Sequence, residues 1–243
     1  MRRKILSIPW GALDSSWSGP ALADSAAAAA AGPGPLATWP GFREVRQIRR
    51  SASSCVLRIE DGDGVCFLKA YWYRDVRAAL RGAFRNTWLA PSRPRRELRA
   101  LERLRDAGVQ SDLEAEIAED RHYGVLREAR ILTRDFGGPD LEASLLRAPG
   151  DAGLALPQWR RLGAFLTAMQ DAGVRDPDLV ARNVLVRRDP VLTFAKIDAS
   201  SSWLVRRSRD DRSRARCLET LFNDLERVGA APAVIQTLRE TSH

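Results

Sequence analysis

The sequence predicts an α+β chain of two lobes, a small and mostly β lobe with one main helix followed by a reduced and mostly α lobe. Three observations lead there. Cys55-Val56-Leu57-Arg58-Ile59 and Val65-Cys66-Phe67-Leu68-Lys69 flank Asp61-Gly62-Asp63-Gly64, and Asp-Gly pairs between β-rich runs specify a hairpin. Pro94 to Ala107 carries Leu98, Leu101 and Leu104 on one stripe, with Gly108 as its stop, and so reads as a helix. Beyond Gly137-Gly138-Pro139, which has linker chemistry, Trp159, Leu162, Phe165, Leu166 and Met169 recur at helical spacing.

The remaining elements follow in order. Residues 1–43 form an arm rich in proline, with an alanine run from Ala26 to Ala31 and with Trp10, Trp17 and Trp39; aromatic residues in such a segment argue that it docks somewhere. Residues 44–138 make the β lobe, opening with Val45 and Ile48 and adding short strands at Val125-Leu126 and Ile131-Leu132. Residues 139–243 make the second lobe. Its first long helix ends at Ala172-Gly173, a loop follows through Asp176-Pro177-Asp178, and Val184-Leu185-Val186 pairs with Leu192 to Ile197 in a second hairpin.

Composition narrows the chemistry. Apolar residues at 44% and charged residues at 29% support a folded chain, and a formal charge of +8 favours an anionic partner. Cys55, Cys66 and Cys217 make an odd count without metal-binding spacing, which fits a reducing compartment and points to the cytoplasm. No apolar run is long enough to span a bilayer. With His122 and the terminal His243 as the two histidines, a serine or cysteine nucleophile working through histidine has little to draw on.

What remains is oxygen chemistry. Asp178 and Asn183 bound a loop that runs into a strand, and the partner strand ends at Asp198, so the hairpin brings all three to one end. Asn183 and Asp198 supply hard oxygen ligands of the kind magnesium takes, and Asp178 can orient an acceptor hydroxyl and accept its proton. Lys69 ends a strand, within reach of nucleotide phosphates, and Glu97 on the next helix can hold it in place. These are the parts of phosphoryl transfer from ATP.

The ordered set resembles a known family. Phe67-Leu68-Lys69, Arg95-Arg96-Glu97-Leu98-Arg99-Ala100-Leu101, Asp106-Ala107-Gly108-Val109, Ala172-Gly173 and Ile197-Asp198 look like the bacterial lipopolysaccharide kinases, which phosphorylate heptose or 3-deoxy-manno-octulosonate sugars and share the two-lobed protein-kinase-like fold. The resemblance runs from about residue 55 to about 200. It implies Lys69 as the phosphate-binding lysine, Glu97 as its helix partner, Asp178 as the catalytic base, and Asn183 with Asp198 as magnesium ligands. It also implies ATP and Mg2+ as cofactors and an anionic glycolipid or sugar as acceptor, with peripheral contact at the inner membrane. Thr133 to Gly138 then becomes the hinge where adenine meets backbone groups. Asp135-Phe136-Gly137 spells a magnesium motif but precedes the catalytic loop and so stands in the wrong place.

Ten arginines between Arg74 and Arg105, interleaved with Trp72, Tyr73, Phe84 and Trp88, suit lipid phosphates or acidic sugars better than nucleic acid. Arg206 to Arg216 adds further positive charge. Two departures from the family pattern keep other readings open. Asp176-Pro177 stands where histidine and arginine are usual, and a second carboxylate so near Asp178 is expected to raise one of their pKa values. Arg49-Arg50-Ser51-Ala52-Ser53-Ser54 lacks glycine where a glycine-rich phosphate loop is usual. A pseudokinase or scaffold, or a kinase for protein or small-molecule hydroxyls, fits these features as well.

Overall fold

The computed structural model describes residues 35–36, 44–51, 53–61, 64–73, 91–110, 113–146, 155–188, 191–205 and 211–242. The rest of the 1–43 arm with its tryptophans, the arginine-rich stretch from Arg74 to Trp88, and residues 206–210 lie outside the described residues. The chain divides into two compact units, one of Met1–Arg95 with Glu114–Asp135 and one of Arg96–Leu113 with Phe136–His243. A mixed β-sheet and helix architecture results, as the hairpin and helix signals require.

Among its described residues the first unit holds an antiparallel sheet of six strands. These are β1 (Pro35–Leu36), β2 (Glu44–Ser51), β3 (Ser54–Asp61), β4 (Gly64–Trp72), β5 (Ala115–His122) and β6 (Val125–Arg134), in the order β1-β2-β3-β4-β6-β5. The β3–β4 hairpin closes with Asp61 opposite Gly64, as the Asp-Gly pairs predict. Along β4, Cys66, Leu68 and Ala70 are buried while Phe67 and Lys69 between them are partly exposed, the period-two alternation of a strand with one covered face. Leu57, Ile59, Leu126 and Ile131 extend the buried set.

One expectation needs correcting. Val125-Leu126 and Ile131-Leu132 belong to a single ten-residue strand, β6, and its partner β5 is unannounced in the sequence. Ala115–His122 has one large aliphatic residue, Ile117, among acidic and basic ones. It sits at the sheet edge, where a charged strand is tolerated and protects against stray pairing.

The main helix, α1 (Arg93–Asp106), starts at Ser92, whose Oγ accepts the Arg95 N–H at 3.1 Å. The same hydroxyl donates to Glu119 of β5 at 2.5 Å, and Glu119 also takes Arg95 through both carboxylate oxygens and Arg121 through one. Burial pushes the Glu119 carboxyl up, but hydrogen bonds from Arg95, Ser92 and Arg121 outweigh it and hold the group below the ordinary glutamate value. At the other end Gly108, with φ +70°, turns the chain while Val109 N–H bonds the Leu104 carbonyl at 2.9 Å.

In the second unit, α2 (Leu141–Leu146), α3 (Leu156–Asp171), α4 (Asp211–Arg227) and α5 (Pro232–Thr241) accompany two short ribbons. One ribbon pairs β7 (Val174–Arg175) with β10 (Trp203–Leu204), and the other pairs β8 (Val184–Arg187) with β9 (Thr193–Lys196). The predicted stripe of α3 is its buried face, with Trp159, Leu162, Phe165, Leu166 and Met169 inside a core shared with Leu218, Leu221 and Leu225 of α4 and Ile235 and Leu238 of α5. Each such side chain contributes about 1.5–3 kcal/mol on burial. Gly163 lets α5 approach closely, for a Cβ there would lie 2.0 Å from Thr241 Oγ1. Arg103 Nε ties α1 to the end of α3 by donating to the Ala172 carbonyl at 2.7 Å.

Candidate active site

The loop that carries Asp178 is built from the second unit alone. β7 is buried and delivers the chain to Asp176, whose Oδ1 accepts the Asp178 N–H at 3.0 Å across Pro177. This is the local turn that aspartate makes with the backbone two residues on. A single 3₁₀ turn, Ala181–Asn183, then leads into β8. Its N-cap, Val180, has no side chain able to cap, and Asp224 of α4 does so from a distance, with Oδ2 accepting the Ala181 N–H at 2.8 Å. The other oxygen of Asp224 takes Arg227 through two nitrogens.

Asn183 is buried and ties the loop to itself: Nδ2 donates to the Asp178 carbonyl at 3.0 Å. With the nitrogen so engaged, the amide oxygen is the atom left to serve a ligand. The Asn183 carbonyl in turn accepts the Ile197 N–H at 2.9 Å, next to the register pair Val184 and Lys196. Asn183 and Asp198 therefore stand at the same end of the β8–β9 hairpin, with the Asp178 backbone bonded to Asn183. Asp198 is a non-glycine residue in the left-handed region, φ 52° and ψ 46°, and its Oδ1 accepts Ser200 Oγ at 3.2 Å. Such strain collects at functional positions.

Asp176 also faces a cation. Its Oδ2 lies 2.7 Å from Lys196 Nζ, and both side chains are fully buried. Lys196 also donates to the Ile197 carbonyl at 2.5 Å. Along the outer edge of β9, Gln110 holds the Lys196 main chain through both amide atoms, at 2.8 and 3.2 Å. Cys217 sits against this region, and burial, helped by the Asp176 charge, pushes its thiol up.

Lys69 belongs to the first unit. It pairs in register with Val56 and Ile131, and its ammonium lies 5.7 Å from the Tyr71 ring centroid. Glu97 is a buried residue of α1. The glycine-free turn between β2 and β3 is tight, with Ser51 Oγ 2.8 Å from Ser54 Oγ. Asp135-Phe136-Gly137 is irregular chain that bends at Gly137: the Asp135 N–H bonds the Val65 carbonyl, Phe136 is covered by the Arg187 guanidinium at 4.6 Å, and Gly137 has φ +81°. Among the described residues no cluster of three or more His, Cys, Asp or Glu side chains could hold a metal ion. A set of one carboxylate and one amide oxygen is what a nucleotide-bridged magnesium needs from protein.

Sequence reasoning missed Gln110, Lys196 and Asp224. A lysine inside the apolar run from Leu192 to Ile197 was the available signal for one of them; the other two act across 86 and 43 residues.

Residues 43–241 match the family described as "Lipopolysaccharide kinase (Kdo/WaaP) family". Among solved structures, "WaaP in complex with acyl carrier protein" is similar, with a TM-score of 0.57 and 20% identity, covering 81% of this chain and 77% of that one. At that identity the likeness is one of fold. No curated protein matches the sequence.

Proposed function

The chain belongs to the lipopolysaccharide kinase (Kdo/WaaP) family and is a kinase, and from that premise we propose that it transfers the γ-phosphate of ATP to a hydroxyl of a lipopolysaccharide core sugar or a related anionic glycolipid. The observation that carries the site assignment is the junction at the end of the β8–β9 hairpin, where Asn183 joins the Asp178 loop to the residue before Asp198 through bonds of 3.0 and 2.9 Å. Asp178, partly exposed, directs the acceptor hydroxyl and takes its proton. Asn183 and Asp198 would hold Mg2+ through an amide oxygen and a carboxylate, and with the nucleotide bound that ion would offset charge on the transferring phosphoryl group. Lys69, with Glu97 as partner, steadies the phosphates, and backbone groups of 133–138 meet the adenine.

The charge of +8 suits an anionic glycolipid and a peripheral place on the inner membrane. Among the described residues no helix is long and apolar enough to cross a membrane. The test is transfer of label from γ-labelled ATP to lipid A core oligosaccharide. Wild type is expected to label the sugar, and Asp178→Ala to lose about 10²–10⁴ of the rate with its melting temperature kept. No transfer to any sugar acceptor refutes the proposal. The glycine-free β2–β3 turn, whose serines bond each other, favours a second reading, a pseudokinase that binds nucleotide without turnover, and nucleotide-induced stabilisation without labelling would select it.

A further inference from the structure

A buried ion pair is a poor way to stabilise a fold. Two well-packed apolar residues usually serve as well or better, while losing one charged partner is strongly destabilising. The Asp176–Lys196 pair is fully buried on both sides, so its retention calls for another account, and the contacts around it supply one. Lys196 is fixed three ways: β8 pairs it on one edge, opposite Val184; Gln110 grips its N–H and carbonyl on the other edge; and its ammonium holds Asp176. The second oxygen of Asp176 holds the Asp178 N–H. Gln110, itself buried, leaves the turn that closes α1 with its own N–H on the Leu104 carbonyl at 3.3 Å. An unbroken line thus runs from the end of α1 through β9 to the loop of the proposed base, crossing the strand two residues before Asp198.

We infer that Lys196 is a positioning residue, which through its buried pair with Asp176 and the Gln110 grip on its main chain sets the Asp178 loop against the strand that carries Asp198. The inference rests on the proposed kinase reading for the identity of the base and the metal ligand. Its geometric content does not depend on that reading. Neither side chain reaches solvent, so the pair acts on substrate only through the backbone it holds. In a phosphotransferase a misplacement of about 1 Å between base and metal ligand costs about 100-fold in rate.

The test uses the full chain and three variants. Lys196→Met alone leaves Asp176 buried without its counter-charge and is expected to lower the melting temperature. Lys196→Met with Asp176→Leu replaces the pair by apolar side chains and is expected to regain most of that stability. In this double variant the Ile197 amide is expected to exchange hydrogen faster than in wild type, and kcat to fall about 100-fold with the KM for ATP within about threefold. A double variant that keeps wild-type exchange and kcat overturns the inference, because the pair would then serve packing alone. Should it not fold, Gln110→Met removes only the grip on Lys196. It is expected to speed Ile197 exchange and lower kcat about tenfold at unchanged KM, and wild-type values for both overturn the inference. If wild type binds no nucleotide and turns none over, the kinase reading has failed, and the exchange measurement alone decides this one.

Discussion

Asn183 joins two roles in one side chain, and replacing it by aspartate separates them. The Nδ2 donor to the Asp178 carbonyl is 3.0 Å long and buried, whereas the amide oxygen is the proposed metal ligand. Asn183→Asp keeps shape and oxygen but turns the donor into an acceptor facing a carbonyl. An unsatisfied buried group costs about 1–3 kcal/mol, and at about 2–4 °C per kcal/mol for a chain of this size the apo protein should melt roughly 4–8 °C lower for a loss near 2 kcal/mol. Asn183→Ala removes the donor without adding the opposed oxygen and should lose less, about 1 kcal/mol. Addition of Mg2+ and a non-hydrolysable ATP analogue should reverse the order. Aspartate retains an oxygen ligand with extra negative charge, so its ligand-induced shift should equal or exceed that of wild type, while the alanine variant should respond weakly. Thermal melts of the three proteins, with and without ligand, decide the matter. If aspartate is as stable as asparagine in the apo form, or if alanine keeps the full shift, the dual assignment is wrong.

Three further outcomes follow from the geometry. Gly163→Ala should destabilise, although alanine in a helix interior normally gains about 1 kcal/mol, because its Cβ would meet Thr241 Oγ1 at 2.0 Å and Thr241 Cβ at 2.7 Å; a second change, Thr241→Gly, should recover most of the loss in denaturant titrations. Glu119 has its folded pKa below the ordinary 4.5, so the stability it gives is complete above that value and drains away as pH falls through the lower one; Glu119→Gln should flatten the acid limb of a melting-temperature profile, and an unchanged limb would contradict the assignment. Cys55, Cys66 and Cys217 are buried thiols, with burial pushing the Cys55 thiol up to about 11, so a thiol reagent at neutral pH should modify the native chain slowly and the denatured chain at once.

Elements with strong local signals were legible. The Asp61 to Gly64 turn, the leucine stripe of α1 ended by Gly108 and the apolar stripe of α3 each depend on residues close in sequence, and each is found as expected. The pairing of Val184 to Arg187 with Thr193 to Lys196 was legible too, and it places the Asn183 main chain beside Ile197. β5 was not legible. Its pattern is dominated by charges that an edge strand accepts, and only pairing with β6 defines it. The circumstances of Asp176 were hidden for a related reason: a carboxylate near another suggests repulsion until the lysine twenty positions on is known to fold against it. Asp224 and Gln110 look like ordinary surface residues in sequence, and their work on Ala181 and Lys196 exists only in the folded chain.

Asn183 and Asp198 are proposed to hold a divalent ion together with the nucleotide's phosphates. Titration of Mn2+, in place of magnesium, into the protein with a non-hydrolysable ATP analogue, followed by electron paramagnetic resonance of the unbound ion, tests it directly. One saturable site is expected, which requires the analogue and weakens at least about tenfold in Asp198→Asn and in Asn183→Ala. Equal affinity in wild type and both variants would contradict it.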